Sequence, residues 1–318
     1  MASRVPLIFG TMTFGYPGKN GVRTDTLEGC QEIVDVFTKH GGKEIDTARM
    51  YAEGTAEEVL SQLDLHGATV DTKVYPVTPG DHHPDKLRST FEISLSKLGR
   101  IKPRVFYLHA PDRSVPFEDT VAAVNALYSQ GKFEIFGLSN YAAWEVAEIV
   151  GICRAKGYVQ PKIYQAMYNA VTRAIEEELV PCLRKFGIRL VVYNPLAGGY
   201  LAGKVSTSSI PEGRFSGESA MAKMYRERYL QGAYADALET IREVGSKHDL
   251  KLSEIALRWV QHHSVLTPSD GVILGASSAQ QLADNCADSA KGPLPDEVIA
   301  ALDLAWTKVG MNCPKYWR

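Results

Sequence analysis

Four polar residues stand out because each lies at or just after the end of a short β-rich run, and together they could transfer a proton. The second such run along the chain ends at Asp46 and is followed by Tyr51, the third contains Lys73, and the fourth ends at His109. A phenol has a pKa of about 10, so it is a weak acid at neutral pH unless a neighbouring ammonium stabilises its phenolate. A carboxylate would hold that ammonium in place, and a neutral imidazole would donate a hydrogen bond to a carbonyl oxygen. Such a set suits protonation of an oxygen that has just become alkoxide-like.

Each of these residues also has a structural explanation when it is taken alone. Asp46 could cap a helix, Tyr51 could be an aromatic at a rim, and Lys73 could be a surface lysine with a buried stem. His109 could be a hydrogen-bonded structural histidine. Only convergence on one pocket favours catalysis, so the elements that carry these residues decide between the two interpretations.

The chain alternates between β-rich and helical segments. Eight β-rich runs are each followed by a helical pattern, at residues 6–12, 44–48, 68–76, 104–111, 135–140, 162–169, 189–196 and 271–277. Because parallel strands need crossover connections, eight such units predict an α/β fold, a (β/α)8 TIM barrel, as one domain over residues 1–318. A doubly wound sheet is the alternative, but no GxGxxG motif follows the first run.

In such a barrel the active site lies at the carboxyl ends of the strands, where the four polar residues would meet. The longest break in the alternation runs from Ala197 to about Tyr234, after the seventh run, and predicts a long irregular loop over the site. After the eighth unit, residues 295–310 predict one extra helix, which is followed by a tail that ends at Arg318.

Composition limits the class of protein further. The 318 residues are 45% hydrophobic and 23% charged, with a formal net charge of −2, which is ordinary for a soluble globular protein. This balance gives no electrostatic reason to expect nucleic acid or an acidic membrane, and no apolar run approaches a membrane span. The amino terminus does not resemble a secretory signal, and five scattered cysteines predict reduced thiols, so we expect a cytoplasmic protein. His82, His83, His262 and His263 lack metal-ligand spacing and are expected on the surface, so no metal site is predicted.

Longer motifs around the polar residues resemble the aldo-keto reductase family. GGKEIDTARMYAEGTAEEVL (41–60) is similar to the family signature, and TKVYP, YLHAPD, GLSNY, QAMYN and YNPLAGGYLAGK are similar to later motifs in the expected order. HAPD and the ending CPKYWR most resemble the aflatoxin aldehyde reductase branch, which is also known for succinic semialdehyde reduction. The resemblance covers essentially the whole chain and implies reduction of aldehydes or ketones. It implies Tyr51 as the general acid, Lys73 as the group that lowers its pKa, Asp46 as the partner of Lys73, and His109 as the residue that orients the carbonyl.

The same resemblance implies NADPH, bound across the strand ends without a Rossmann fold. The residues expected around its nicotinamide are Ser139, Asn140, Gln165 and Tyr193, the last by stacking. Those expected around its pyrophosphate are Asn194, Leu196, Gly198, Leu201, Gly203 and Lys204. Those expected at the 2′-phosphate and adenine are Arg214, Gly275, Ser277, Gln281 and Asn285. Gln281 carries no charge where family members place Lys or Arg, but NADPH remains the expected cofactor over NADH.

The expected substrate is a small carbonyl compound, selected by Met50, Tyr225, Arg228 and Arg318. By resemblance, the loop tyrosine, the loop arginine and the terminal arginine would bind a substrate carboxylate, which suits a guanidinium. Alternatively, Arg228 is a solvated charge and Arg318 a frayed terminus. Two other functions stay open: a redox-sensing, cofactor-binding subunit like the β subunits of potassium channels, and a biosynthetic ketoreductase for a larger natural product. The oligomeric state is open too, with a homodimer as one option.

Overall fold

Eight parallel strands close into a barrel in the computed structural model, which describes residues 3–203, 205, 210 and 213–318. The strands are β1 (Leu7–Gly10), β2 (Glu44–Asp46), β3 (Thr69–Val74), β4 (Val105–Leu108), β5 (Ile135–Ser139), β6 (Pro161–Met167), β7 (Arg189–Tyr193) and β8 (Gly271–Gly275). Each strand pairs with its neighbours in chain order, and β8 closes on β1. The predicted (β/α)8 barrel is therefore confirmed.

Helices surround this barrel and fill the connections between its strands. They are α1 (Leu27–Lys39), α2 (Ala56–Leu60), α3 (Pro84–Leu98), α4 (Phe117–Ser129), α5 (Ala143–Lys156), α6 (Leu179–Phe186), α7 (Ala220–Tyr229), α8 (Gly232–Lys247), α9 (Leu252–His262), α10 (Ala279–Ser289) and α11 (Asp296–Val309). Short 3₁₀ turns cover Tyr51–Gly54, Ala197–Ala202 and Gly310–Asn312. Within the described ranges, none of the helices has the length and apolar character needed to cross a bilayer.

The described part of the connection between β7 and β8 contains more helix than the predicted irregular loop. It contains α7, which begins after Ser219, whose side chain accepts a hydrogen bond from the backbone nitrogen of Ala222. It also contains α8, which the sequence analysis missed, and which packs its buried apolar face against the expected carboxyl-terminal helix α11. Glycines at 232 and 245 lower the intrinsic helix propensity of α8, so its stability depends on this tertiary packing.

The interior of the barrel is layered along its axis. At the amino-terminal ends of the strands, Arg104 forms ion pairs with Glu44 (2.5 Å) and Asp71 (2.6 Å), and Arg189 forms one with Glu44 (2.8 Å). Above them lies an apolar layer that consists of Ile8, Val105, Tyr107, Ile163, Val191 and Ile273. Polar side chains return at the carboxyl ends. The lower two layers fill the barrel, which leaves the carboxyl ends as the place for a site.

Two smaller predictions have opposite outcomes. The five cysteines are free thiols, as predicted. The surface position expected for His82 is wrong, because its side chain is only 1% exposed in the loop between β3 and α3. Its backbone nitrogen donates to Asp112 (3.1 Å) and its carbonyl accepts from Thr120 (3.3 Å), which holds the loop inward. Burial lowers the pKa of His82 to about 4, because a charged imidazolium is costly to bury.

Candidate active site

The four residues of the predicted proton-transfer set lie at the carboxyl ends of adjacent strands. Asp46 is the last residue of β2, Lys73 is the next-to-last residue of β3, and His109 directly follows β4. Tyr51 begins the 3₁₀ turn that follows β2. Adjacent strand ends and one tight turn thus bring all four side chains to one pocket, as the sequence predicts.

Lys73 and Asp46 form a buried ion pair at the base of this pocket. The Lys73 Nζ lies 2.7 Å from Asp46 Oδ2 and donates a second hydrogen bond to the carbonyl of Thr47 (2.5 Å). Gln165 Nε2 donates to the other carboxylate oxygen of Asp46 (2.8 Å), so both oxygens are engaged. Burial lowers the pKa of Lys73, and the Asp46 carboxylate opposes that shift. The pair is therefore a fixed charge source rather than two mobile side chains.

Tyr51 lies directly over this ion pair. The Lys73 ammonium is 5.0 Å from the centroid of the Tyr51 ring, within the range of a cation–π contact. The expected lowering of the Tyr51 pKa is not found in this state: burial raises the pKa well above its ordinary value, and Asp46 adds to the rise. Because Asp46 neutralises the ammonium at 2.7 Å, little of its positive charge reaches the phenol. Tyr51 is thus held in its protonated form.

The turn that carries Tyr51 has an unusual backbone. Ala52, Glu53 and Gly54 all have positive φ values, of 50°, 55° and 93°, a region that costs a residue with a side chain roughly 1–2 kcal/mol. Arg49 donates to the carbonyl of Gly54 and forms an ion pair with the buried Glu57 (2.5 Å) on α2. This ion pair closes the turn at its base and fixes the point from which the Tyr51 side chain projects.

His109 completes the set as a neutral, partly buried imidazole. Its ring centroid is 6.0 Å from that of Tyr51, with the planes at 78°. Burial lowers the pKa of His109 well below its ordinary value, and the Lys73 charge lowers it further. Its Nδ1 is buried and has no hydrogen-bond partner among the residues that the structure describes. A neutral imidazole beside a phenol can donate a hydrogen bond without bringing a second positive charge into the pocket.

The residues expected around a nicotinamide are close together at the ends of β5, β6 and β7. Ser139 Oγ donates to the carbonyl of Gln165 (3.0 Å), and Asn140 Nδ2 donates to Ser139 Oγ (3.0 Å) and to the carbonyl of His109 (2.8 Å). The Tyr193 hydroxyl donates to Asn140 Oδ1 (2.9 Å). Asn140 thereby ties this cluster to the proton-transfer set.

The segment after β7 winds through two left-handed glycines. A side chain at Gly198 would meet the Tyr225 ring at 2.4 Å, whereas one at Gly199 would meet nothing within 4 Å. Gly198 is therefore required by internal packing, whereas the backbone at Gly199 has open space beside it. Leu201 is buried in the core, and Leu196 is partly buried against it. Gly203 approaches Leu252, and the predicted Lys204 lies outside the described residues.

The residues expected at the far end of the cofactor surround the end of β8. Gly275 ends that strand, and Ser278, not Ser277, caps α10. The backbone and hydroxyl of Ser277 both donate to Gln281 Oε1 (2.9 and 3.2 Å). Arg214 reaches this end from the connection between β7 and β8. Its Nη2 would lie 3.6 Å from a Cβ atom placed on Gly275. The end of β8 therefore presents hydroxyl, amide and guanidinium groups.

Two buried amide donors in this region have no partner among the described residues. They are Nδ2 of Asn194, after β7, and Nδ2 of Asn285, on α10. An unpaired buried donor costs about 1–3 kcal/mol, so each would gain from an acceptor on a ligand. The donors, the open backbone at Gly199 and the Arg214 cation together fit a long anionic ligand that carries several oxygen acceptors.

The pocket also holds a tyrosine and an arginine from α7. The Tyr225 hydroxyl donates to Asn194 Oδ1 (3.0 Å) and accepts from Arg214 Nη1 (3.2 Å). Although burial alone would raise it, Arg214 holds the pKa of Tyr225 below its ordinary value. Arg228 Nη1 contacts the sulfur of Met167 (3.5 Å), and no carboxylate pairs with this guanidinium in the part of the chain that the structure describes. Met50, also expected at the substrate, is 44% exposed beside Tyr51.

The carboxyl-terminal tail is anchored at the mouth of the barrel, so the alternative of a frayed terminus does not hold. The Tyr316 hydroxyl accepts from the backbone of Ala143 (3.0 Å) and donates to Glu178 (2.6 Å). The backbone nitrogen of Arg318 donates to the carbonyl of Asn140 (3.0 Å). The Arg318 guanidinium therefore faces the pocket, where no acidic partner meets it within the described residues.

Sequence reasoning missed several residues of this pocket. Tyr75 contacts His109 edge-on, at 5.5 Å between ring centroids, and Arg49 with Glu57 supports the Tyr51 turn. A signal for Tyr75 was present, because it lies two residues after Lys73 and side chains alternate along a strand. No comparable local signal pointed to Arg49 and Glu57, which meet only when the turn is formed.

Other features of the surface lie away from this pocket. Depressions of about 520 and 490 Å³ are lined by residues around the amino-terminal ends of β2 and β3 and of β5 and β6, at the opposite end of the barrel. Within the described residues, no group of three or more His, Cys, Asp or Glu side chains is arranged to hold a metal ion.

The chain is similar in sequence to known proteins along most of its length. Residues 6–307 match the sequence model of the Aldo/keto reductase family. The chain is 41% identical to mouse (Mus musculus) aflatoxin B1 aldehyde reductase member 2, over 100% of the chain and 90% of that protein. It is 42% identical to human (Homo sapiens) aldo-keto reductase family 7 member A3, over 90% of the chain and 91% of that protein. It is 37% identical to aldo-keto reductase pigE of Monascus ruber, over 96% of the chain and 95% of that protein.

Proposed function

Because the chain belongs to the aldo/keto reductase family, we propose that it reduces aldehydes or ketones to alcohols with NADPH, and that Tyr51 supplies the proton. The observation that carries this proposal is the convergence of a protonated Tyr51, the buried Lys73–Asp46 pair and the neutral His109. Burial raises the pKa of Tyr51 and lowers that of His109, which favours the protonated phenol and the neutral imidazole that the reaction needs.

The residues described at the ends of β5–β8 fit a nicotinamide dinucleotide. Asn140, Gln165 and Tyr193 would hold the nicotinamide, and the open backbone at Gly199 would face the pyrophosphate. Arg214, near Gly275, would bind the 2′-phosphate and so favour NADPH over NADH. When bound, the reduced nicotinamide supplies a hydride to the carbonyl carbon.

His109 and Tyr51 act at the carbonyl oxygen. The neutral His109 ring donates a hydrogen bond to that oxygen, which polarises the carbonyl and sets its orientation. As the carbon is reduced, the oxygen becomes an alkoxide, which is a far stronger base than a phenolate. Tyr51 can therefore donate its proton even though burial raises its pKa. The part of the Lys73 charge that Asp46 leaves uncompensated, 5.0 Å from the ring centroid, offsets a fraction of the negative charge left on the phenolate.

The preferred substrate class is an aldehyde that carries a carboxylate, as in succinic semialdehyde. Arg228 and Arg318 face the pocket without a carboxylate partner among the described residues. Two uncompensated guanidinium groups at the mouth of a pocket favour an anionic ligand. Their present contacts with thioether sulfurs and a phenol are weak, so a substrate carboxylate would replace them at little cost.

Substitution of Tyr51 tests the proposal directly. Tyr51→Phe keeps the ring but removes the acid, so kcat for aldehyde reduction is expected to fall by about two or more orders of magnitude. The affinity for NADPH, measured by fluorescence titration, is expected to stay unchanged. Tyr128→Phe, at a half-exposed position on α4, is the matched control and is expected to leave both quantities unchanged. Near-normal turnover in Tyr51→Phe would refute the assignment of the acid.

A further inference from the structure

Glu57 is a buried charged residue that the proton-transfer scheme does not use. It lies in the first turn of α2, and its side chain is fully buried. The other buried residues of this short helix are the apolar Ala56, Val59 and Leu60. Replacement of a buried ion pair by apolar side chains of similar volume is often neutral or stabilising, so the charge of Glu57 gives the fold itself little. Its contacts therefore need an explanation other than core packing.

One oxygen of the Glu57 carboxylate holds the turn that carries Tyr51. Glu57 Oε2 lies 2.5 Å from Arg49 Nη1, and Nη2 of the same guanidinium donates to the carbonyl of Gly54, the last residue of the turn. A Cβ atom placed on Gly54 would collide with this guanidinium, so the turn and Arg49 are in close contact. Because a turn of strained, left-handed residues persists only where its surroundings hold it, Glu57 acts on the position of Tyr51 through Arg49.

The other oxygen of the carboxylate holds the strand that carries Lys73. Glu57 Oε1 accepts a hydrogen bond from the hydroxyl of Thr72 (2.6 Å), the residue before Lys73 in β3. Side chains alternate along a strand, so Thr72 faces α2 while Lys73 faces the inside of the barrel. The backbone nitrogen of Arg49 donates to the carbonyl of Lys73 (2.9 Å). The contacts from Arg49 to Glu57, to Thr72 and back to Arg49 through Lys73 therefore form a closed ring.

We propose that Glu57 is a positioning residue, which fixes the phenol of Tyr51 relative to the ammonium of Lys73. One oxygen of its carboxylate holds the turn and the other holds the strand, so a shift of either element breaks one of these contacts. This role rests on the proposed function, because it takes Tyr51 as the acid. It adds that the rate of proton donation depends on a carboxylate that lies behind the barrel wall, outside the pocket.

Steady-state kinetics of Glu57→Gln with an aldehyde and NADPH tests this role. The amide keeps the shape of the side chain but has no charge, so Arg49 loses its ion pair and the turn is expected to move. Because a displacement of about 1 Å can lower a rate about a hundredfold, kcat is expected to fall about ten- to hundredfold. The affinity for NADPH is expected to stay unchanged. Glu58→Gln, at the next position of α2, changes a partly exposed carboxylate that pairs with Lys97, and is the matched control.

The solvent isotope effect on kcat separates positioning from loss of folded protein. A misplaced acid slows proton transfer relative to the other steps, so the ratio of kcat in H2O to kcat in D2O is expected to rise in Glu57→Gln. Partial unfolding would lower the active fraction and leave this ratio unchanged. Arg49→Met removes the contact with the turn and is expected to raise the ratio too. Combined with Glu57→Gln, it is expected to lower kcat about as much as either change alone, because both act through one contact.

Failure of this role and failure of the proposed function give different results. A normal kcat in Glu57→Gln, or a lower kcat with an unchanged isotope effect, overturns the role of Glu57 and leaves the reductase intact. If Glu57→Gln does not fold, Thr72→Val removes the strand contact alone and is judged by the same two quantities. Absence of turnover in the unmodified protein, or near-normal turnover in Tyr51→Phe, overturns the proposed function instead.

Discussion

Replacement of the buried His82 is expected to remove part of the acid sensitivity of the fold. The imidazole is 1% exposed, and burial lowers its pKa to about 4 from an ordinary value of 6.5. Asp112 and Asp81 raise this pKa but only partly offset the burial. The folded protein therefore holds His82 neutral at pH values where the unfolded chain binds a proton.

The sign and size of the effect follow from this difference in proton binding. As pH falls below 6.5, the unfolded state takes up a proton that the folded state excludes, so the free energy of unfolding decreases. This decrease ends below about pH 4, where His82 is protonated in both states. The contribution of His82 is about 0.2 kcal/mol at pH 7 and about 2 kcal/mol at pH 5. Asparagine at this position has no titratable group. Between pH 7 and pH 5, the free energy of unfolding of His82→Asn is therefore expected to fall by about 2 kcal/mol less than that of the unmodified protein.

Urea unfolding, followed by tryptophan fluorescence at pH 8, 7, 6 and 5, measures this difference. Because the comparison is made within each variant, any loss of packing in His82→Asn cancels. His83→Asn changes the exposed neighbour and is expected to retain the full pH dependence of the unmodified protein. The same decrease in stability between pH 7 and 5 for His82→Asn and the unmodified protein would refute the reasoning.

Two further predictions concern the ligands. Arg214→Ala is expected to weaken NADPH binding about ten- to hundredfold while leaving NADH affinity nearly unchanged. Fluorescence titration measures both affinities, and Arg242→Ala on α8 is the control. Equal affinity of the unmodified protein for the two cofactors would contradict this prediction. Arg318→Ala is expected to raise KM about ten- to hundredfold for an aldehyde that carries a carboxylate, with little change for a neutral aromatic aldehyde or in kcat. This substitution keeps the backbone hydrogen bond from residue 318 to Asn140, which deletion of the residue would remove. Equal KM shifts for both aldehydes would show that the role of Arg318 is structural.

The sequence by itself determined the parts of this protein that depend on local pattern. Alternating strand and helix patterns specify a parallel barrel, and a barrel requires that its strand ends converge. Residues at those ends, such as Asp46, Lys73 and His109, could therefore be assigned to one pocket before any distance was known. Tyr51 could be grouped with them because it lies in the loop that follows the same β-rich run as Asp46.

Features that depend on contacts distant in the sequence were decided by the tertiary structure alone. Helix α8 lacks a strong propensity, and packing on α11 stabilises it. His82 is polar and sits in a loop, yet the Asp112 carboxylate from the next connection holds that loop inward. Arg318 and Tyr75 are 243 positions apart, and only the anchored tail brings them together.

The protonation states of the site were likewise set by the folded environment. Identity and spacing indicated that Lys73 would lower the pKa of Tyr51, but the folded site raises that pKa by burial. A pKa depends on desolvation and on the sum of nearby charges, and Asp46 at 2.7 Å cancels most of the Lys73 charge. The sequence determines which ionisable groups are present at the strand ends. Their depth and mutual distances, which are properties of the closed barrel, determine which of them carry a charge.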